Sequence, residues 1–291
     1  MGYDLKRKSI TEGAMTLSER NYFFKGGIVF SALCLVIIGA ASYFTFPAYH
    51  WAGASAAFRP WGLILNMVAN IAEPSAYVPL CTMLSAVLFS LFGIIFIYYY
   101  FEQTHSPEII FIGFFVISLS FELVRVVIPL RHTFSFPFSY LIGASRILLF
   151  GRYFGLFSIF AASIYAAGYE AQKQQHAFFI LILAALLISL RVPIDSLAWD
   201  SSLKMRNGYN SMFLILEAGI LVVTLLTFFI SAYTRGSRSY IIIGIGCFLL
   251  LVGRNLLINS DTWITPFPAL VILTGGIWFV CAWLHKEYLW L

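Results

Sequence analysis

The stretch Ser118-Leu-Ser-Phe-Glu122-Leu-Val-Arg125-Val-Val-Ile-Pro129 sets a carboxylate and a guanidinium three residues apart inside an apolar run. On a helix, positions i and i+3 share a face, so Glu122 and Arg125 can meet and point the same way. Inside a membrane segment each such charge costs at least about 2.5–3.5 kcal/mol and normally faces a bundle interior or a watery cavity. Four more arginines recur in later apolar segments: Arg146, Arg152, Arg191 and Arg254.

Composition places the stretch in a membrane. The chain of 291 residues is 60% hydrophobic and 11% charged, with a mean hydropathy of +0.87. Soluble domains run at roughly 45–50% apolar and about 25% charged. The excess is spread along the whole length, which excludes a soluble domain. It predicts an all-α, polytopic helical bundle: a single transmembrane domain over residues 27–291 behind a polar cytoplasmic lead, residues 1–26.

A membrane-crossing helix needs about 20 apolar residues. Runs of that kind cover about Gly27–Pro47, Tyr77–Tyr100, Glu108–Leu130, Pro137–Ala167, Ala177–Leu197, Ser211–Tyr233, Tyr240–Ile258 and Pro266–Leu284. Eight spans result, an uncleaved N-terminal anchor helix plus a seven-helix bundle. Thr16-Leu-Ser-Glu19 carries the pattern of a capping box and suggests a short interfacial helix before the first span. Residues 48–76 hold Arg59-Pro60-Trp61 and Glu73-Pro74 around an apolar part too short to cross, so an outer re-entrant or interfacial segment is expected.

Lysine and arginine set the orientation. With the N-terminus inside, Lys6, Arg7, Lys8, Arg20, Lys25, Lys173, Arg235, Arg238 and Lys286 lie inside, against Arg59, Arg131, Lys204 and Arg206 outside. The expectation is N-in and C-in, in the cell (inner or plasma) membrane. Nucleic acid is not an expected partner, since no basic run with interleaved aromatics stands outside the spans.

Orientation turns scattered charges into a pattern. Arg125, Arg146, Arg152, Arg191 and Arg254 would all lie from mid-membrane outward, facing the carboxylates Glu122, Asp195 and Glu217. Two readings compete. In one, the charges form an internal ion-pair network that fixes helix packing, with surplus arginines snorkelling to lipid phosphates. In the other, arginines line an outward-opening pocket for an anionic group, which their planar fork binds bidentately. The surplus of arginines over acids favours the pocket. Its expected ligand-binding residues are Arg125, Arg146, Arg152, Tyr153, Arg191 and Arg254, with Glu122, Asp195 and Glu217 as charge-pairing partners. Arg146 and Arg152 are the foremost ligand candidates, and Arg191 and Arg254, nearest the surface, the expected snorkellers. Arg191 and Asp195 would pair at i,i+4 at the end of the fifth span.

Gly151-Arg-Tyr-Phe-Gly155 is a small-xxx-small pattern, expected to bring the fourth span tight against a neighbour. Pro129, Pro193, Pro266 and Pro268 are expected to kink or unwind helices around the pocket mouth. The histidines are isolated, and the cysteines fall in apolar runs without metal spacing, so no metal and no cofactor are expected. No phosphate-binding loop or nucleophile elbow occurs.

These features predict a sensor- or receptor-like membrane protein that holds an anionic or amphipathic small molecule or a lipid headgroup. Only His285-Lys-Glu-Tyr-Leu-Trp-Leu291 follows the last span, so signalling is expected through a membrane or cytoplasmic partner. A secondary transporter of an organic anion or lipid is the alternative. An intramembrane lipid-modifying enzyme using Glu122 and Glu217 as acid and base is a third possibility.

Overall fold

The computed structural model describes residues 16–52, 75, 77–102, 106–169 and 174–289, without the side chains of 46–52, 132–133, 195–199, 206–207, 210 and 289. Eight helical segments among them are long and apolar enough to cross a membrane. The architecture is a polytopic helical bundle. Most of the re-entrant segment expected over residues 48–76 and most of the N-terminal lead lie outside the described residues, and residues 48–52 continue the first helix.

The first helix, α1 (Leu17–Ala52), begins earlier than its apolar run. Thr16 N donates to Glu19 Oε2 at 2.8 Å and Glu19 N to Thr16 Oγ1 at 3.3 Å. This reciprocal capping box starts the spanning helix itself, not a separate interfacial one. Next comes α2 (Tyr77–Tyr100), which packs along α1. The third span is composite: α3 (Pro107–Ser118), a 3-10 stretch over Leu119–Val126, and α4 (Val127–Phe134). Pro129 accounts for the change of winding. It has no N–H to give to the Arg125 carbonyl, and its ring crowds that carbonyl. Val127 N–H bonds instead to the Val124 carbonyl, in the tighter 3-10 manner.

The fourth span is α5 (Phe138–Ala166). A Cβ on Gly151 would fall 2.5 Å from Phe121 Cβ, and one on Gly155 would strike Ser118 Oγ. The two glycines therefore let α5 press against the 3-10 stretch. Helix α6 (Gln174–Arg191) ends two residues before Pro193. The sequence expectation of a span reaching Leu197 is corrected here. Pro193 disfavours helical geometry in the residue before it, and the chain turns into a hairpin of β1 (Ile194–Trp199) and β2 (Met205–Asn207). The strands are antiparallel, with Asp195 opposite Arg206. Asp195 stands in β1, so the helical i,i+4 spacing expected to pair it with Arg191 is absent. Three further spans complete the bundle: α7 (Asn210–Arg235), α8 (Ser239–Ile258) and α9 (Pro266–Leu289), the last opened by Pro266.

Two polar clusters hold elements together. In the core, Ser31 of α1, Ser90 of α2 and Ser120 of the 3-10 stretch close a triangle of hydroxyls at 3.0, 2.8 and 3.1 Å. Each can donate once and accept once, so none needs water. The second cluster ties the end of the bundle that carries the described termini. Arg20 Nη2 donates to the carbonyls of Phe101 (2.5 Å) and Glu102 (3.1 Å). Tyr288 and Ser106 donate to the buried Glu108 carboxylate at 2.6 and 2.9 Å. Arg235 reaches the Tyr240 hydroxyl at 2.5 Å.

Candidate functional site

At the opposite end of the bundle, the 3-10 stretch carries Glu122 and Arg125 on one line, because three residues make one turn. Arg125 Nη1 lies 3.2 Å from Glu122 Oε2, and Arg152 Nε of α5 lies 3.4 Å from Glu122 Oε1. One carboxylate thus serves two guanidinium groups. Arg125 and Glu122 are almost fully buried, while the Arg152 side chain stays 17% exposed. Arg254 Nη1 of α8 donates to the Arg152 carbonyl at 2.9 Å. Its guanidinium lies in the space that Gly155 leaves open, 3.2 Å from where a Cβ there would stand.

Beside this cluster is a cavity of about 810 Å³. Its polar wall comes from α5 and α8, with Arg152, Tyr153, Arg254 and Asn255. Its apolar wall is α7, which turns Phe213, Leu214, Ala218 and Leu221 toward it with Glu217 among them. These positions follow helical spacing and line one face of α7. The Tyr153 and Phe213 rings meet across the two walls at 6.0 Å between centroids.

The hairpin tip forms the roof, contributing Asp200, Lys204 and Met205. It is tied down at three points. Arg125 Nη2 donates to the Ser202 carbonyl, Lys204 Nζ to Asn259 Oδ1, and Ser201 Oγ to Asp261 Oδ2 at 3.0 Å. Leu203 takes a left-handed backbone, φ 53°, while its side chain packs against the apolar cluster around Met83 and Val126. Irregular backbone beside a membrane core is tolerated where it is buried in protein or lines a cavity, and this hairpin does both.

The hydrogen-bond tally leaves capacity in the wall. Arg152 Nη2 and Arg254 Nε are buried and reach no partner among the described residues. Burial pushes the Lys204 ammonium down to about 7, helped by Arg152 and Arg125 and opposed by Glu122 and Asp200. Glu217 acts electrostatically on both Arg254 and Tyr153, but pairs with no arginine within 4.0 Å among the described residues.

The structure brings together Glu122, Arg125, Arg152, Tyr153, Glu217 and Arg254. It does not bring Arg146 or Arg191 to the cavity: both are exposed and neither lines it. Arg254, expected near the surface, is instead 3% exposed. The difference lies in helix rotation, since Arg146 and Arg152 stand six residues apart and so point to different faces of α5. The Asp195 side chain lies outside the described residues. Asp200 and Lys204 were not counted with the site because the fifth span was carried into β1 and the residues after it were read as an outer loop, and Asn259 because it follows the seventh span. Pro193, followed seven residues later by the turn-forming Asp200-Ser-Ser, was the available signal.

Glu122, held by two arginines, does not line the cavity, so the geometry gives no support to an acid–base pair with Glu217. Among the described residues no three His, Cys, Asp or Glu side chains gather as a metal site would require.

No protein-family profile matches the chain. One stretch has a relative. Over 97 residues the chain is 30% identical to an uncharacterized protein of Treponema pallidum (strain Nichols), covering 33% of this chain and 28% of that protein. The likeness spans under a third of the relative's length and carries neither a family nor an activity.

Proposed function

We propose that this multi-pass membrane protein binds an anionic or amphipathic small molecule or a lipid headgroup in the cavity between α5, α7 and α8. Its role would be of sensor or receptor type at the cell membrane, with the signal read by a partner. One observation carries the proposal. Arg152 and Arg254 stand in the wall of a cavity, each with a buried nitrogen that finds no acceptor. An unmet buried donor costs about 1–3 kcal/mol, and more when charged, so an acceptor supplied beside these guanidinium groups is favourable. A carboxylate or phosphate in the cavity would bring an acceptor to the partly exposed Arg152 guanidinium, beside which Arg254 stands.

Native mass spectrometry of the gently extracted protein tests this reading. Wild type should carry an anionic mass that Arg152→Gln, still folded, lacks. If the folded wild type and the variant carry the same adducts, the site is structural. In sealed vesicles, binding without solute movement is expected. Counterflow abolished by Arg152→Ala would make the protein a transporter instead.

A further inference from the structure

Three features of the cavity bear on what enters it and by which route. The first is charge. Arg125, Arg152, Arg254 and Lys204 face Glu122, Glu217 and Asp200 in and behind the walls, which leaves a single positive charge when Lys204 is protonated. One negative charge completes the site; two would overload it.

The second is the division of the lining. The cation-bearing wall of α5 and α8 opposes the apolar stripe of Phe213, Leu214, Ala218 and Leu221 on α7. A small hydrophilic anion would use only the first, whereas an amphiphile uses both. The volume lies within the range of about 300–1,000 Å³ usual for small-molecule sites, enough for a headgroup and the start of its tails.

The third is access. The hairpin roof is pinned across the aqueous end by Arg125, Asn259 and Asp261. The side wall is different. No residue of α7 from 211 to 223 is buried, whereas Thr224, Phe228, Ser231 and Ala232 further along are. Phe228 seats on Gly244 of α8, where a Cβ would come within 3.0 Å of Phe228 Cβ. Helix α7 is thus buried only in its C-terminal half, and its N-terminal half stands beside the cavity, touching the core through Phe213, Ile220 and Leu221, with its outer surface toward lipid.

Resting on the anion-binding reading above, we infer that the occupant is a singly charged membrane lipid entering sideways past the N-terminal half of α7. Its phosphate or carboxylate lies at Arg152 and Arg254, and its tail runs along Phe213, Leu214 and Ala218 into the bilayer. Desolvated bidentate pairing fixes the head, and burial of the first methylenes adds about 0.8 kcal/mol each.

The test uses the full chain in phosphatidylcholine nanodiscs doped with phosphatidylglycerol, a single-charge lipid, with retained lipid weighed by native mass spectrometry. Glycerophosphoglycerol, the same headgroup without tails, is the soluble arm. Wild type should retain phosphatidylglycerol over phosphatidylcholine by at least tenfold and hold the bare headgroup at least a hundredfold more weakly. Ala218→Trp fills the apolar side from an exposed helical position, so it should leave the fold intact. It should cut lipid retention tenfold without changing headgroup binding. Equal affinity for lipid and headgroup, with Ala218→Trp silent, would overturn the lateral lipid route while leaving an anion site filled from water. Retention of neither by folded wild type would overturn both readings.

Discussion

Glu122 neutralises two guanidinium groups where water is scarce, and that makes it the most sensitive position in the cluster. Removing one partner from a buried ion pair costs about 3–5 kcal/mol, because the remaining charge stays buried. Glu122→Gln strands both Arg125 and Arg152, and a loss in that range is expected in unfolding measurements in detergent. Arg146→Gln and Arg191→Gln, on exposed side chains, should stay within about 0.5 kcal/mol of wild type. Lys204 makes a second prediction. Arg152 and Arg125 face it from α5 and the 3-10 stretch and hold it down. Glu122 and Asp200 oppose them, and Asn259, just past the end of α8, accepts its hydrogen bond. Its amine is charged only below about 7, against 10.5 ordinarily. The folded chain therefore binds fewer protons than the unfolded one between these values, and stability declines as pH falls through that window. A bound anion favours the charged amine, so binding takes up a proton. Affinity should rise as pH is lowered from about 8 to 6 and flatten in Lys204→Met, read by titration calorimetry in two buffers of different ionisation heat. The i,i+3 pairing of Glu122 with Arg125 was legible from spacing alone. The burial of Arg254 and the exposure of Arg146 were not, because helices apolar on every side give no stripe to show which face turns inward.

The cluster depends on how its elements are wound and pressed together. Helix α5 reaches the 3-10 stretch only because Gly151 and Gly155 lack side chains. Gly155→Leu would drive carbons into Ser118 Oγ and the Arg254 guanidinium, and overpacking of this kind costs about 1–3 kcal/mol. It should also displace Arg254 and lower anion retention. Gly143, on the same helix, has nothing within 4 Å of an added Cβ. Gly143→Ala should therefore be neutral or stabilising by up to about 1 kcal/mol through helix propensity. Thermal unfolding of the two variants side by side checks both signs. The glycine contact was legible as a small-xxx-small pattern, and Pro129 marked the place where winding changes. The hairpin roof was legible only as a break at Pro193 and a turn at Asp200-Ser-Ser, not as a pair of strands. Ile194-Asp-Ser-Leu-Ala-Trp199 continues an apolar run without strict alternation, and a short apolar run does not distinguish strand from helix.

For the whole molecule, the two polar ends have different jobs. The end bearing Arg20, Glu108, Arg235 and Tyr288 is stitched by hydrogen bonds between successive elements. The other end holds the cavity and its roof. Eight crossings put both described termini on one side of the membrane and the cavity toward the other. The excess of lysine and arginine at the terminal side predicts a cytoplasmic location for that side and an outward-facing hairpin. Two single cysteines decide the matter in a Cys81→Ala background, since Cys34, Cys247 and Cys281 are buried. Ser201→Cys, on the exposed hairpin tip, should react with a membrane-impermeant thiol reagent on intact cells. Thr234→Cys, exposed at the stitched end, should react only after permeabilisation. The reverse pattern would place the roof in the cytoplasm. Lys204 would then sense internal pH, while a lipid would still enter beside α7, now from the inner leaflet.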